Sequence, residues 1–351
     1  DSINYFNICL KINRTNISAM FNKAICLMNL ENYDEAIYFF SLLIQMNRKD
    51  LESHLYKGIC LKKLKKYDDA INTLSKSISI NPKYFPAYLQ RGICYTNMKI
   101  FGKAINDFIH YSKNQADEKK EITDEDFYYH RALCYINSSK IEDAINDLNK
   151  VIEINKTNSN AFFKLGFCFL LRKDKNKFIH NLEDAIVKFD EAIKIDNKHI
   201  EAYFNKALAL TNLSKFKEAI ESYNKVIELN KKDIESIYNK ALILMKINKY
   251  TDAEQCIQKV IDLLNTVKDP FSRNLDNIYF NMAKCKIKLR KTKEAIDNLL
   301  LSIKLNKNND EALYDLSKCY LDSREFKNGL DTITKAIILN PRNYEFLYLK
   351  G

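Results

Sequence analysis

Nine cysteines and five histidines are the residues most able to do chemistry here, as metal ligands, nucleophiles or redox thiols. Their spacing argues against each role. Cys26, Cys60, Cys94, Cys134, Cys168, Cys285 and Cys319 recur about one repeat apart, with no Cys-x-x-Cys pair and no His at ligand spacing. A thiol in such a series packs as a small hydrophobe, which implies a reducing compartment, cytoplasmic or nuclear. His54, His110, His130, His180 and His199 fall at unrelated places in the repeat. No Gly-rich phosphate loop, nucleophile elbow or HExxH string occurs. Adjacent acids such as Asp68-Asp69 open a helix, where they complement its dipole. The sequence therefore predicts neither an enzyme nor a cofactor or metal site within this span.

The elements behind these residues are set by composition and period. Hydrophobic residues make up 46% and charged residues 29%, with only 6 Gly and 4 Pro in 351 residues. That scarcity excludes hairpin-rich sandwiches, barrels and Gly-rich nucleotide folds. No stretch approaches the ~18 apolar residues of a membrane span. A small residue recurs at Ala24, Gly58, Gly92, Ala132, Gly166, Ala207, Ala241, Ala283 and Ser317. Twelve residues later comes a second one, at Ala36, Ala70, Ala104, Ala144, Ala219, Ala253, Ala295 and Gly329. The step is 34 residues for 24→58, 58→92, 132→166, 207→241 and 283→317. Large apolar residues three and four away, as in Phe216, Ala219, Ile220 and Tyr223, give a helical period in both halves. Asn47, Asn81, Asn155, Asn230, Asn306 and Asn340 close the second helix, where a left-handed residue is expected.

This pattern resembles the tetratricopeptide repeat family, over nearly the whole chain. The resemblance implies an all-α solenoid, a right-handed superhelix of antiparallel helix pairs in about nine units. Boundaries fall near 17–50, 51–84, 85–124, 125–158, 159–199, 200–233, 234–275, 276–309 and 310–343, with partial units at 1–16 and 344–351. The cut units at both ends predict a fragment of a longer protein. Six extra residues fall between Asn114 and Asp126, and eight around Asn265 to Asn277. In the fifth unit the second small residue arrives at Ala185, so its second helix is expected to start near Asn176.

Such stacks offer their first helices to a concave groove. Two residues before the small position stand Asn22, Asn205, Asn239 and Asn281, with Gln90, His130, Lys164 and Asp315 elsewhere. In members similar to O-linked N-acetylglucosamine transferases, Asn at this place forms a ladder, which implies amides that bond an extended peptide backbone. One residue after the small position stand Ile25, Ile59, Ile93, Leu133 and Phe167. With Phe21, Leu55, Leu89, Tyr129 and Phe163 they would either line an apolar groove or pack between neighbouring first helices. Further on, Lys246, Lys284, Lys288 and Lys318 replace them, with Glu235, Glu311, Asp315 and Asp322 alongside. The expected ligand is a protein or peptide with an acidic or phosphorylated segment.

The family's carboxylate clamp for chaperone C-termini (Hsp90/Hsp70) needs Lys before and Asn after the small residue. Phe21 with Ile25 and Leu55 with Ile59 stand there instead, so that partner is not expected. Net charge is +11, but basic residues are interleaved with acids, and only Lys284 to Lys293 forms a dense run. Nucleic acid is therefore a lesser alternative. Another is a targeting arm for a catalytic domain outside the chain. The main reading is a protein-interaction scaffold, without membrane insertion.

Overall fold

The computed structural model describes residues 2–117, 122–172, 174–266 and 270–351. These form twenty α-helices and no strand. They divide into two compact units, Asp1–Phe178 and Ile179–Gly351.

In the first unit, α1 (Ser2–Ile12) precedes four helix pairs. These are α2 (Ile17–Asn29) with α3 (Tyr33–Met46), and α4 (Leu51–Lys63) with α5 (Tyr67–Ile80). Next come α6 (Phe85–Asn97) with α7 (Phe101–Asp117), then α8 (Glu125–Asn137) with α9 (Ile141–Ile154), and α10 (Ser159–Leu171) follows. In the second unit, α11 (Phe178–Ile195) is followed by α12 (Ile200–Asn212) with α13 (Phe216–Leu229), and α14 (Ile234–Lys246) with α15 (Tyr250–Thr266). The remaining helices are α16 (Leu275–Lys288) with α17 (Thr292–Leu305), α18 (Asp310–Asp322) with α19 (Phe326–Leu339), and α20 (Tyr344–Lys350).

Each pair is held by the small-and-large arrangement the sequence displays. Four residues after the second small residue stands a large side chain with almost no exposure, as at Phe40, Leu74, Phe108, Leu148, Tyr223, Ile257 and Leu299. It packs where the first small residue leaves room. A methyl group on Gly58 would lie 2.6 Å from Leu74 Cγ, and one on Gly92 2.8 Å from the Phe108 ring. The core then closes through the next first helix. Ala132, Ala144, Leu148 and Val151 pack with Ala161, Leu165 and Cys168 of α10, so buried apolar surface runs from pair to pair.

The two kinds of turn have opposite backbones. Between first and second helices, Glu31, Lys65, Lys99, Ser139, Ser214, Asn248, Arg290 and Arg324 are left-handed, with φ of 57–62°. The Glu31 N–H bonds Met28 O, and the Asn32 N–H bonds Leu27 O, so these are Schellman closures built without glycine. The closing asparagines of the second helices are not left-handed, contrary to expectation. Asn47, Asn81, Asn155, Asn230, Asn306 and Asn340 are extended, with φ from −132 to −139°. Their side chains explain the choice. Asn47, Asn81, Asn155, Asn230 and Asn306 accept the backbone N–H two residues on. The amides of Asn155, Asn306 and Asn340 also donate to Glu125, Asp276 and Asp310 at the start of the preceding first helix.

The inserted residues lengthen second helices. α7 and α15 each have 17 residues where α5, α9 and α13 have 14. α11 starts at Phe178, behind a 3-10 turn over Lys175–Lys177, rather than at Asn176. Parts of both longer insertions, residues 118–121 and 267–269, lie outside the described residues.

Candidate functional site

In the second unit the first helices carry polar stripes at helical spacing. On α14, Glu235, Asn239, Leu242 and Lys246 stand at i, i+4, i+7 and i+11, one face of the helix. On α16 the same places hold Asn277, Asn281, Lys284 and Lys288, and on α18 Glu311, Asp315, Lys318 and Asp322. Lys246, Lys284, Lys288 and Lys318 converge on one cleft of about 420 Å³, completed by Met245, Tyr250, Ile287 and Asp315. Three first helices thus supply four ammonium groups, and Tyr250 at the start of α15 adds to the apolar part of the lining.

Lys246, Lys288 and Lys318 are exposed, and Lys284 is half-buried. Lys284 lies 4.1 Å from the centre of the Phe280 ring and 3.5 Å from Glu311. Lys318 stands 5.1 Å from the Tyr314 ring and Lys246 5.9 Å from Phe216. Aromatic faces therefore steer three of the four stems without neutralising them. Burial pushes the Asp315 carboxyl above its usual range, while Lys284, Lys318 and Lys288 draw it back down. Tyr250 is fixed by its hydroxyl, which donates to Asn248 Oδ1 at 2.8 Å. The arrangement can attract an anion and cover an apolar group beside it.

Asn205, Asn239 and Asn281 are half-buried, and they bond within the protein. Asn205 Nδ2 donates to its own helix at Glu201 O, 2.8 Å away. Asn281 Nδ2 donates to the Tyr238 hydroxyl at 2.7 Å. Asn239 is hydrogen-bonded to the buried Tyr223 phenol, whose pKa burial raises strongly. Each of these bonds takes only part of an amide's capacity of two donors and two acceptor lone pairs. Asn205 lines a separate cleft of about 380 Å³ with Phe204, Glu201 and Glu235.

In the first unit the same positions are used differently. Asn22 is exposed on α2. Gln90 Oε1 accepts from Lys62 Nζ at 2.6 Å, across from α4 to α6. His130 on α8 is held neutral: burial, opposed by Asp126 and aided by Lys62, lowers its pKa to about 4. Lys164 rests over the Phe163 and Phe167 rings. The residues that were candidates for an apolar groove are largely packed. Leu55, Leu89, Ile93 and Phe163 are buried, and Phe21, Ile25, Ile59 and Tyr129 are half-buried against the cores. Leu133 and Phe167 are half-buried too, so six of the ten keep part of their surface exposed.

Cys60, Cys94, Cys134, Cys168, Cys285 and Cys319 are buried and free. Burial raises the Cys94, Cys168 and Cys285 thiols to about 12. No group of three or more metal-ligating side chains gathers among the described residues. No described helix is long and apolar enough to cross a membrane.

Sequence reasoning did not pick out Met245, Tyr250 and Ile287 as cleft residues, or Lys62, Tyr223 and Tyr238 as partners of the groove amides. All six fit the ordinary repeat pattern. Only the approach of neighbouring helices distinguishes them.

Known proteins share this architecture. Profiles described as tetratricopeptide repeat match residues 200–233, 125–158, 234–263 and 276–309. A profile described as anaphase-promoting complex, cyclosome, subunit 3 matches residues 3–77. No curated protein matches the chain. Among solved structures, the C-terminal part of a TPR repeat-containing protein from Cytophaga hutchinsonii aligns at 19% identity and TM-score 0.59, over 75% of this chain and 99% of that one. YrrB, described as a TPR protein with an unusual peptide-binding site, aligns at 18% identity and TM-score 0.47, over 57% of this chain and 97% of that one. An APC/C hetero-tetramer, Cut9–Hcn1, aligns at 12% identity and TM-score 0.45, over 95% of this chain and 75% of that one.

Proposed function

The chain belongs to the tetratricopeptide repeat family, and from that membership we propose that it is a protein-interaction scaffold. It binds an extended partner segment along the first helices of Ile179–Gly351. An acidic or phosphorylated stretch of that segment sits among Lys246, Lys284, Lys288 and Lys318. The spare hydrogen-bonding capacity of Asn205, Asn239 and Asn281 meets its backbone. The observation that carries the reading is the convergence of four lysines from three helices on one cleft with an apolar floor. Lysines spread over a solvated face would not share a concavity.

The test is fluorescence anisotropy with the whole chain and capped twelve-residue peptides of acidic, phosphorylated, neutral and basic composition. Acidic and phosphorylated peptides should bind, and a variant with all four lysines replaced by Glu should lose at least tenfold in affinity. Replacing Asn205, Asn239 and Asn281 by Ala should weaken binding less and leave its salt dependence unchanged. If the anionic peptides bind no better than the basic ones, the reading is wrong.

A further inference from the structure

The lysine cleft is only partly polar, and its apolar part has no use in attracting charge. Met245 closes α14, Ile287 lies in the last turn of α16, and Tyr250 opens α15. All three are half-buried and line the cleft, with Met245 and Tyr250 packed against one core cluster and Ile287 against the next. The Tyr250 hydroxyl donates to Asn248 Oδ1 at 2.8 Å, beside the cleft. A cleft of about 420 Å³ has room for more than a carboxylate, and lies within the ~300–1,000 Å³ typical of ligand pockets.

Resting on the proposed function above, we propose that this cleft recognises an internal motif in which one large apolar side chain is flanked by acidic residues. The apolar group lies against Met245, Tyr250 and Ile287, and the flanking carboxylates meet Lys246, Lys284, Lys288 and Lys318. The charge distribution favours such a motif over a nucleic acid. Asp315 stands among Lys284, Lys288 and Lys318, with Glu311 3.5 Å from Lys284. These carboxylates break up the positive surface that a regular phosphate backbone would need, whereas Lys246, which is not among the lysines around Asp315, offers a separate acid an ammonium group of its own. No terminal carboxylate is required, since the lysines come from three helices spread along the face.

The experiment uses the whole chain and nine-residue peptides acetylated at one end and amidated at the other. One has Phe at its centre between glutamates, a second has Ala at the centre, and a third has Phe between lysines. The Phe–Glu peptide should bind at least tenfold more tightly than the Ala–Glu peptide, and the lysine peptide should not bind. Ile287→Ala should reduce the Phe preference. Asp315→Asn, on the half-exposed side of the cleft, should tighten both glutamate peptides severalfold while keeping their ratio. Equal affinity of the Phe–Glu and Ala–Glu peptides overturns the apolar anchor and leaves the acidic reading standing. Failure of both peptides to bind overturns both readings. A single-stranded oligonucleotide that binds more tightly than the Phe–Glu peptide overturns the proposed motif.

Discussion

One residue after the first small position, the unit Asp1–Phe178 carries Ile25, Ile59, Ile93, Leu133 and Phe167. At the same place Ile179–Gly351 carries Leu208, Leu242, Lys284 and Lys318. The backbone and the repeat position are equivalent, yet the side chains end in different environments. Ile93 is 2% exposed and belongs to a core with Leu89, Phe108 and Phe127. Lys284 and Lys318 keep their ammonium groups at a cleft, over the Phe280 and Tyr314 rings. The place is thus neutral ground between core and surface. Ile93 closes into that core, because burying it removes apolar area from water, while Ile25, Ile59, Leu133 and Phe167 are half-buried. A lysine stays out, because burying an unpaired ammonium costs more than its stem returns.

Exchanging the two classes is the strongest way to break this comparison. Ile93→Lys should destabilise the first unit by on the order of 3 kcal/mol, since the charge lands in a closed apolar core. Chemical denaturation followed by circular dichroism measures this, and a change under about 1 kcal/mol would show that the site is open. Next in size is the effect of closing the gap that the small residue leaves. Gly92→Ala places a methyl 2.8 Å from Phe108 and should cost about 1–3 kcal/mol. Hydrogen exchange should increase mainly in α6, α7 and their neighbours, as expected where each repeat contacts only the next.

A comparable effect comes from pH. His130 titrates near 4 in the folded chain, against about 6.5 when unfolded. Between those values the unfolded state binds a proton that the folded state refuses, so this contribution is complete above pH 6.5 and is lost as pH falls toward 4. The loss between pH 7 and 4.5 should be about 2 kcal/mol. His130→Gln should flatten the difference in thermal stability across that range. An unchanged slope would mean that His130 is solvated. The smallest expected effect sharpens the comparison from the other side. Lys284→Ile should change stability by less than about 0.5 kcal/mol, yet should weaken acidic-peptide binding severalfold in the anisotropy assay.

Much of this was legible from residues alone. The 34-residue step, the paired small residues and the apolar period identify helix pairs and their stacking, because each of these signals is local. The four lysines were legible as one surface because their register relative to the small residue is read directly from the sequence. The turns were less so. Lys65 and Arg290 give no sign of a left-handed backbone, since the Schellman hydrogen bonds that hold it are made by the main chain. Asn47 and its equivalents are expected as left-handed caps, yet asparagine also forms Asx turns, which is what Asn47, Asn81, Asn155, Asn230 and Asn306 do here. What separates the two readings for Asn155, Asn306 and Asn340 is a carboxylate 30 residues earlier.

By itself, then, the sequence determined the kind of element, its length, the small-to-large fit within each pair, and which residues share a helix face. All follow from spacing and side-chain volume within about one repeat. Only the tertiary structure decided which members of a face remain available. Asn281 meets Tyr238 from 43 residues away, Gln90 meets Lys62 from 28, and Ile287 joins Met245 and Tyr250 under the lysines. Those outcomes depend on how closely neighbouring helices approach, and that distance is set by packing between repeats rather than by the period within one.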